Sequence, residues 1–208
     1  MLTPRSENEI SSEWLCDVIK NYERRKASEE ITVDVLGFDV NKGTNPGENF
    51  NSELVSVVVR TKNHTKNDED EEMTYNFLLK LHSRNLVSKE MNRLCKTDVR
   101  ELEIYSKIHP KLTEFQSKLG EGKYELKIPE LIYGINDGED FVIVMRNLKS
   151  DGYVLNDKTL GLNPQQLKLT VNQIARWHAL SYVYNEKFNL LQEFPNLISG
   201  IQNIGILP

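Results

Sequence analysis

The sequence predicts an α+β fold in which about five antiparallel strands form one sheet, helices pack on it, and the start of a helical segment follows. Three observations carry that expectation. Apolar residues recur at every second position in short runs, as Ile31, Val33 and Val35 do, or Tyr75, Phe77, Leu79 and Leu81, which is the period of a pleated strand. Elsewhere they recur every three or four positions, as Trp14, Leu15, Val18, Ile19 and Tyr22 do, which is one face of a helix. The 208 residues are 38% hydrophobic, enough for one ordinary domain with a real core.

Charge and cysteine usage remove several classes of function. With 26 basic against 31 acidic residues, mostly interspersed, the net charge of -5 offers no positive stripe for a phosphate backbone, so nucleic acid is not expected as a partner. The first thirteen residues are polar and no run is long and apolar enough to span a bilayer, so neither a signal peptide nor a membrane partner is expected. Cys16 and Cys95 are isolated thiols without metal-type spacing, which suits a reducing, cytoplasmic setting. The Asn63-His64-Thr65 sequon is then expected to go unused.

Residues 12–22 form the first expected helix, capped by Ser11 or Ser12. A first strand covers residues 31–40, and the turn-rich stretch from Asn41 through Gly43 and Gly47 to Asn49 leads into a second over 50–60, apolar on both faces. The run Asp68-Glu69-Asp70-Glu71-Glu72 lacks the alternating ligands and turn glycine of a calcium loop and is expected to be a solvated hairpin loop. Residues 73–82 form the third strand. One helix is expected over 89–108, stopped by Pro110. Two further strands, 130–133 and 141–144, flank the tight turn Asn136-Asp137-Gly138. After a polar, glycine-containing stretch, Asn163-Pro164-Gln165-Gln166 has the form of a capped helix start. That helix runs to about Tyr184 with Leu167, Val171, Ile174, His178 and Tyr182 as its buried stripe, which makes His178 a hydrogen-bonded core histidine.

On the third strand Lys80 falls opposite the Tyr75, Phe77, Leu79 and Leu81 face, on a side shared with Thr74, Asn76, Leu78 and His82. On the following helix Glu101 shares a face with Leu94, Ile104, Tyr105 and Ile108, an odd place for a carboxylate without a partner. Two readings stay open: Glu101 pairs with Lys80, or Asp98-Val99-Arg100-Glu101 is a capping box. Two strands joined by a glycine-containing loop, a third strand ending in lysine, a helix with an inward glutamate, two strands and a linker follow the order of a protein-kinase-like N-lobe. In such a lobe loop amides meet phosphates and the lysine neutralises their charge.

The combination of Gly47-Glu48-Asn49-Phe50-x-Ser52, Phe77-Leu78-Leu79-Lys80, Glu101-x-x-x-Tyr105-Ser106-Lys107-Ile108-x-Pro110, Val144-Met145-x-Asn147-Leu148-Lys149 with Gly152-Tyr153, and Gly161-Leu162 leading to Ala175-Arg176-Trp177-His178-Ala179 resembles the N-terminal half of the ecdysteroid-kinase-like family, also called choline-kinase-like or CHK kinase-like. The resemblance implies an ATP- and Mg²⁺-dependent small-molecule kinase acting on the hydroxyl of an ecdysteroid or choline-like alcohol. It implies that the loop from Gly43 through Gly47, Glu48 and Asn49 to Ser52 covers the nucleotide phosphates, that Lys80 binds them, that Glu101 holds Lys80, and that backbone groups near Met145 hold the adenine. It divides the chain into an N-terminal helix (1–30), a kinase-like N-lobe (31–146), a hinge and linker (147–163) and the start of a truncated helical C-lobe (164–208). The chain departs from the family where Arg146 and Asn147 replace an acidic pair and where Asp98 stands near a usual aromatic. No His-x-Asp segment occurs and no aspartate follows Asp157, so residues carrying acceptor activation and Mg²⁺ binding are not in hand. The expectation is a truncated, association-prone chain without phosphoryl-transfer activity. The alternatives are a non-catalytic nucleotide-binding or interaction protein on the same lobe, and an unrelated β-rich binding module in which Lys80 and Glu101 lie apart on the surface.

Overall fold

The computed structural model describes residues 2–27, 31–43, 52–64, 70–119 and 126–197. Among them five strands form one antiparallel sheet in the order β1-β2-β3-β5-β4: β1 is Thr32–Lys42, β2 Ser52–His64, β3 Asp70–His82, β4 Leu131–Asn136 and β5 Phe141–Arg146. β1, β2, β4 and β5 run past their sequence-read ends and β3 begins three residues before its sequence-read start, because hydrogen-bonded pairing continues through the polar residues once the apolar ones have set the register. The turn from β4 to β5 places Gly138 at φ 96, a left-handed conformation that costs glycine little.

The sheet divides its two faces by alternation. One face carries Val55, Val57, Val59, Tyr75, Phe77, Leu79, Leu81, Val142 and Val144, and α1 (Ser12–Ala27) covers it with Trp14, Leu15, Val18, Ile19 and Tyr22. The amphipathic stripe read from the sequence is therefore the packing stripe, and α1 shares one core with the sheet. Within it Asn63 is buried, accepts from the Thr61 hydroxyl and donates to the Tyr75 hydroxyl, which donates in turn to Glu23. Burial pushes the Tyr75 phenol well up. The sequon asparagine is thus a structural amide inside the fold.

The other face receives the helices after β3, and here the single helix expected over 89–108 is corrected. Lys96 adopts φ 53, left-handed for a non-glycine residue, and breaks the run into α2 (Leu86–Cys95) and α3 (Thr97–Glu103). A π-helical turn, Ile104–Ile108, joins α3 to α4 (His109–Ser117). Pro110 does not stop the helix. It has no N–H for the carbonyl one turn back, and the wider π turn, in which the His109 amide reaches the Ile104 carbonyl, carries the chain past it.

The long helix α5 (Pro164–Phe188) begins with the expected capping box of Asn163 and Gln166. Its orientation differs from the sequence reading. Trp177, Leu180 and Tyr184 pack toward Ile108, Leu112 and Phe115 of the π turn and α4, whereas Leu167, Val171, Ile174, His178 and Tyr182 are exposed. His178 is therefore not a core histidine. The acidic run is corrected in part: Asp70, Glu71 and Glu72 belong to β3, where Asp70 pairs across to Lys62 at 2.5 Å and His64 at 2.5 Å, while Asp68 and Glu69 lie outside the described residues. No described helix is long and apolar enough to cross a membrane.

Candidate functional site

The sheet face opposite α1 presents the side chains that alternation leaves over: Ser56 from β2, Leu78, Lys80 and His82 from β3, Ile143 and Met145 from β5. Phe141, Ile143 and Met145 are buried there, with the half-buried Leu78, Leu102, Tyr105 and Leu131 packed against them, so this face has a small apolar core of its own where α3 and the π turn land. Lys80 and His82 stand at its margin.

Lys80 meets Glu101. The ammonium lies 2.5 Å from the Glu101 carboxylate, with side chains 22% and 29% exposed. That exposure puts the pair between a fully solvated ion pair, which contributes little, and a buried one, which would have to offset a large desolvation penalty. Of the two readings left open by the sequence, the geometry selects pairing with Lys80: the residue before α3 is Lys96, whose side chain makes no cap, and Glu101 reaches across to the sheet. A β-rich module with Lys80 and Glu101 apart on the surface is excluded by the same contact. Burial first, and then the neighbouring Glu101 carboxylate, pushes the Tyr105 phenol up. A cavity of about 330 Å³ opens beside Glu101, lined by Thr97, Arg100, Ile104, Tyr105 and Ile128. A second, of about 570 Å³, is bounded by Arg25, Tyr105, His109, Glu130 and Tyr153 and includes neither Lys80 nor Glu101.

The chain on either side of β2 and β5 closes the same region. Gly43 is buried, its amide donates to the Leu54 carbonyl at 2.9 Å, and a Cβ there would lie 2.9 Å from that peptide group, so this turn admits only glycine without displacement. The Gly43 carbonyl accepts from the Lys149 ammonium at 3.1 Å. Asn147, buried, donates to the Ser56 hydroxyl at 3.0 Å and caps the 3₁₀ turn Leu148–Asp151 through the Lys149 amide. Gly47, Glu48 and Asn49 lie outside the described residues; Ser52 is buried at the start of β2.

Met145 is buried, and the two amides after it are used within the fold: Arg146 donates to the Glu130 carbonyl and Asn147 to the Asn76 carbonyl. The departures noted in the sequence have local explanations. Arg146 is held by both oxygens of Asp151 at 2.8 and 2.9 Å, so a carboxylate five residues on balances its charge. Asp98, in place of an aromatic, is buried and faces His82 at 3.4 Å. Among the described residues, no group of three or more His, Cys, Asp or Glu is placed to hold a metal ion.

Sequence reasoning put His82 on the Lys80 face and noticed Asp98 as a departure, yet joined neither to the site. Their signal was spacing: two residues from Lys80 on a strand and three from Glu101 on a helix. Lys149, Ser56 and Asn147 carry no such signal, because their meeting depends on how the segment after β5 turns.

Neither a curated protein nor a solved structure matches the chain. The profile of the ecdysteroid kinase-like family matches residues 46–202, which include β2, β3 with Lys80, α3 with Glu101 and all of α5. A match of that extent, over an antiparallel sheet whose lysine is held by a helix glutamate, makes this chain a member of the ecdysteroid kinase-like family.

Proposed function

We propose that the chain is the nucleotide-holding part of an ATP-dependent small-molecule kinase, arranged as a protein-kinase-like N-lobe, whose reaction passes the γ-phosphate of ATP to a hydroxyl of a small molecule such as an ecdysteroid or a choline-like alcohol. The observation that carries it is the Lys80–Glu101 contact at 2.5 Å across β3 and α3. A lysine whose position is fixed by a carboxylate and whose side chain stands partly open is placed to neutralise phosphate charge, because Glu101 fixes its direction. The segment from Gly43 to Ser52, with Gly47, Glu48 and Asn49 between, is the proposed phosphate cover, and carbonyl groups near Met145 are the proposed adenine contact. Residues 147–163 would form the hinge.

The features that suit ATP are a cation held by a carboxylate, a glycine turn closed to side chains and an apolar cluster at Met145. Among the described residues no group of three or more His, Cys, Asp or Glu is placed to hold Mg²⁺. Because the sequence holds no His-x-Asp segment and no aspartate after Asp157, we propose that residues 1–208 bind nucleotide without transferring phosphate, which also keeps the reading as a nucleotide-binding or interaction protein in play. Two measurements test this. Lys80→Ala should weaken ATP binding about tenfold or more while the melting temperature stays near the parent value, since a partly open lysine adds little packing; equal affinity would remove Lys80 from the site. An ATP-to-alcohol transfer assay with Mg²⁺ should show no turnover, and turnover lost in Lys80→Ala would overturn the inactive assignment.

A further inference from the structure

Two acids of α3 face a lysine and a histidine of β3. Asp98 and Glu101 are three residues apart and therefore neighbours on one helix face, and Lys80 and His82 are two apart and therefore on one strand face. The result is a pair of parallel bridges, Glu101 to Lys80 at 2.5 Å and Asp98 to His82 at 3.4 Å. The second is the more enclosed: the Asp98 and His82 side chains are 10% and 18% exposed. A carboxylate so far out of water needs a polar or charged partner or it destabilises the fold. His82 Nδ1 is buried and lies within charge-pairing distance without the alignment of a hydrogen bond, and its ring lies 5.1 Å from that of Phe141, which fixes its plane. The other charges near Asp98, namely Lys89, Glu90, Arg93 and Lys96, line a cavity of about 470 Å³ beside it, and Glu90 is already held by Arg93.

α3 itself is poorly equipped to fix its own direction. It has seven residues, follows left-handed Lys96 and has no side-chain cap, so its isolated stability is negligible. Its orientation has to come from what it docks against, and of its charged contacts the Asp98 bridge lies nearest its start.

We propose that Asp98 and His82 form a positioning bridge that docks the start of α3 on β3, so that Glu101, one turn later, meets Lys80 and holds it for the phosphates. The inference rests on the reading of Lys80 as a nucleotide ligand. Asp98 touches no phosphate; it acts through Glu101.

The test compares Asp98→Asn, which keeps shape and removes charge, with Asp98→Glu, which keeps charge and changes shape, both in the full 208-residue chain. Three quantities are read: ATP affinity by displacement of trinitrophenyl-ATP, hydrogen exchange of the amides of residues 100–103 without nucleotide, and melting temperature. Asp98→Asn should weaken ATP binding by about threefold to thirtyfold and speed exchange in α3, whereas Asp98→Glu keeps most of the affinity. In a Glu101→Gln background Asp98→Asn should add no further loss of affinity, which a general loss of stability would not reproduce. Parent-like affinity and exchange in Asp98→Asn would overturn the bridge, as would an undiminished loss in the Glu101→Gln background. Parent-like affinity in Lys80→Ala would instead remove the nucleotide reading, and the exchange measurement on Asp98→Asn would still decide whether the bridge docks the helix.

Discussion

A methyl group on Gly43 would sit 2.9 Å from both the carbon and the oxygen of the Leu54 peptide. Those are backbone atoms that cannot rotate aside, so Gly43→Ala should destabilise the chain by about 1–3 kcal/mol and loosen the contact of Lys149 with the Gly43 carbonyl. Urea denaturation checks the first; an unchanged midpoint would mean that the turn shifts freely. His64 makes a second prediction at this scale. Its hydrogen bond to Asp70, then that to Asp34, raises its pKa above the ordinary imidazole value, so the folded state favours the charged ring. The stabilisation is complete below the unfolded-state pKa and is lost as pH rises through the raised folded value. The melting-temperature gap between parent and His64→Gln should accordingly be widest in mild acid and close above neutrality, and a gap that widens with pH would contradict the assignment.

At the scale of elements, the strands and their faces were legible because alternation is a local property: placing Tyr75, Phe77, Leu79 and Leu81 inside also placed Lys80 outside. The break at Lys96 was not legible, because it depends on a left-handed lysine where a glycine would have announced it. Nor was the face of α5. Two stripes at helical spacing run along it, and only the position of α4 shows that Trp177, Leu180 and Tyr184 are the packed one. The acidic run teaches the same lesson, since Asp70 has cross-strand partners in Lys62 and His64 that no loop would supply. Deleting charge at Glu71 and Glu72, both exposed, should change stability by less than about 0.5 kcal/mol, and Asp70→Asn by more than either. Equal effects at the three sites, read by thermal melts, would return Asp70 to the status of a loop residue.

Over the whole molecule, apolar surface is unevenly covered. α1 and the helices after β3 cover the sheet, while α5 leaves Leu167, Val171, Ile174 and Tyr182 each more than half exposed along one side. A stripe of that length favours association. Sedimentation velocity on residues 1–208 should show concentration-dependent self-association, reduced by Val171→Glu with Ile174→Lys; a monomer at all concentrations would show that the stripe is harmless. The double substitution touches none of the residues around Lys80, so nucleotide affinity should not follow it.

The division of the sheet between a dry side under α1 and a side that meets α3 means that β3 carries two messages in one line of residues. Leu79 and Leu81 are fully buried, whereas Lys80 and His82 are partly open. A saturation scan from Thr74 to His82, read once for protein abundance and once for nucleotide retention, should therefore give two interleaved combs, out of phase by a single residue. Lys80 would be the tall tooth in retention and the odd-numbered ones would be tall in abundance, while Leu78, packed against Ile143 and Met145, and His82, against Asp98, would register in both. Selection on the fold and selection on the ligand would then share Leu78 and His82 and separate at Lys80 and its odd-numbered neighbours.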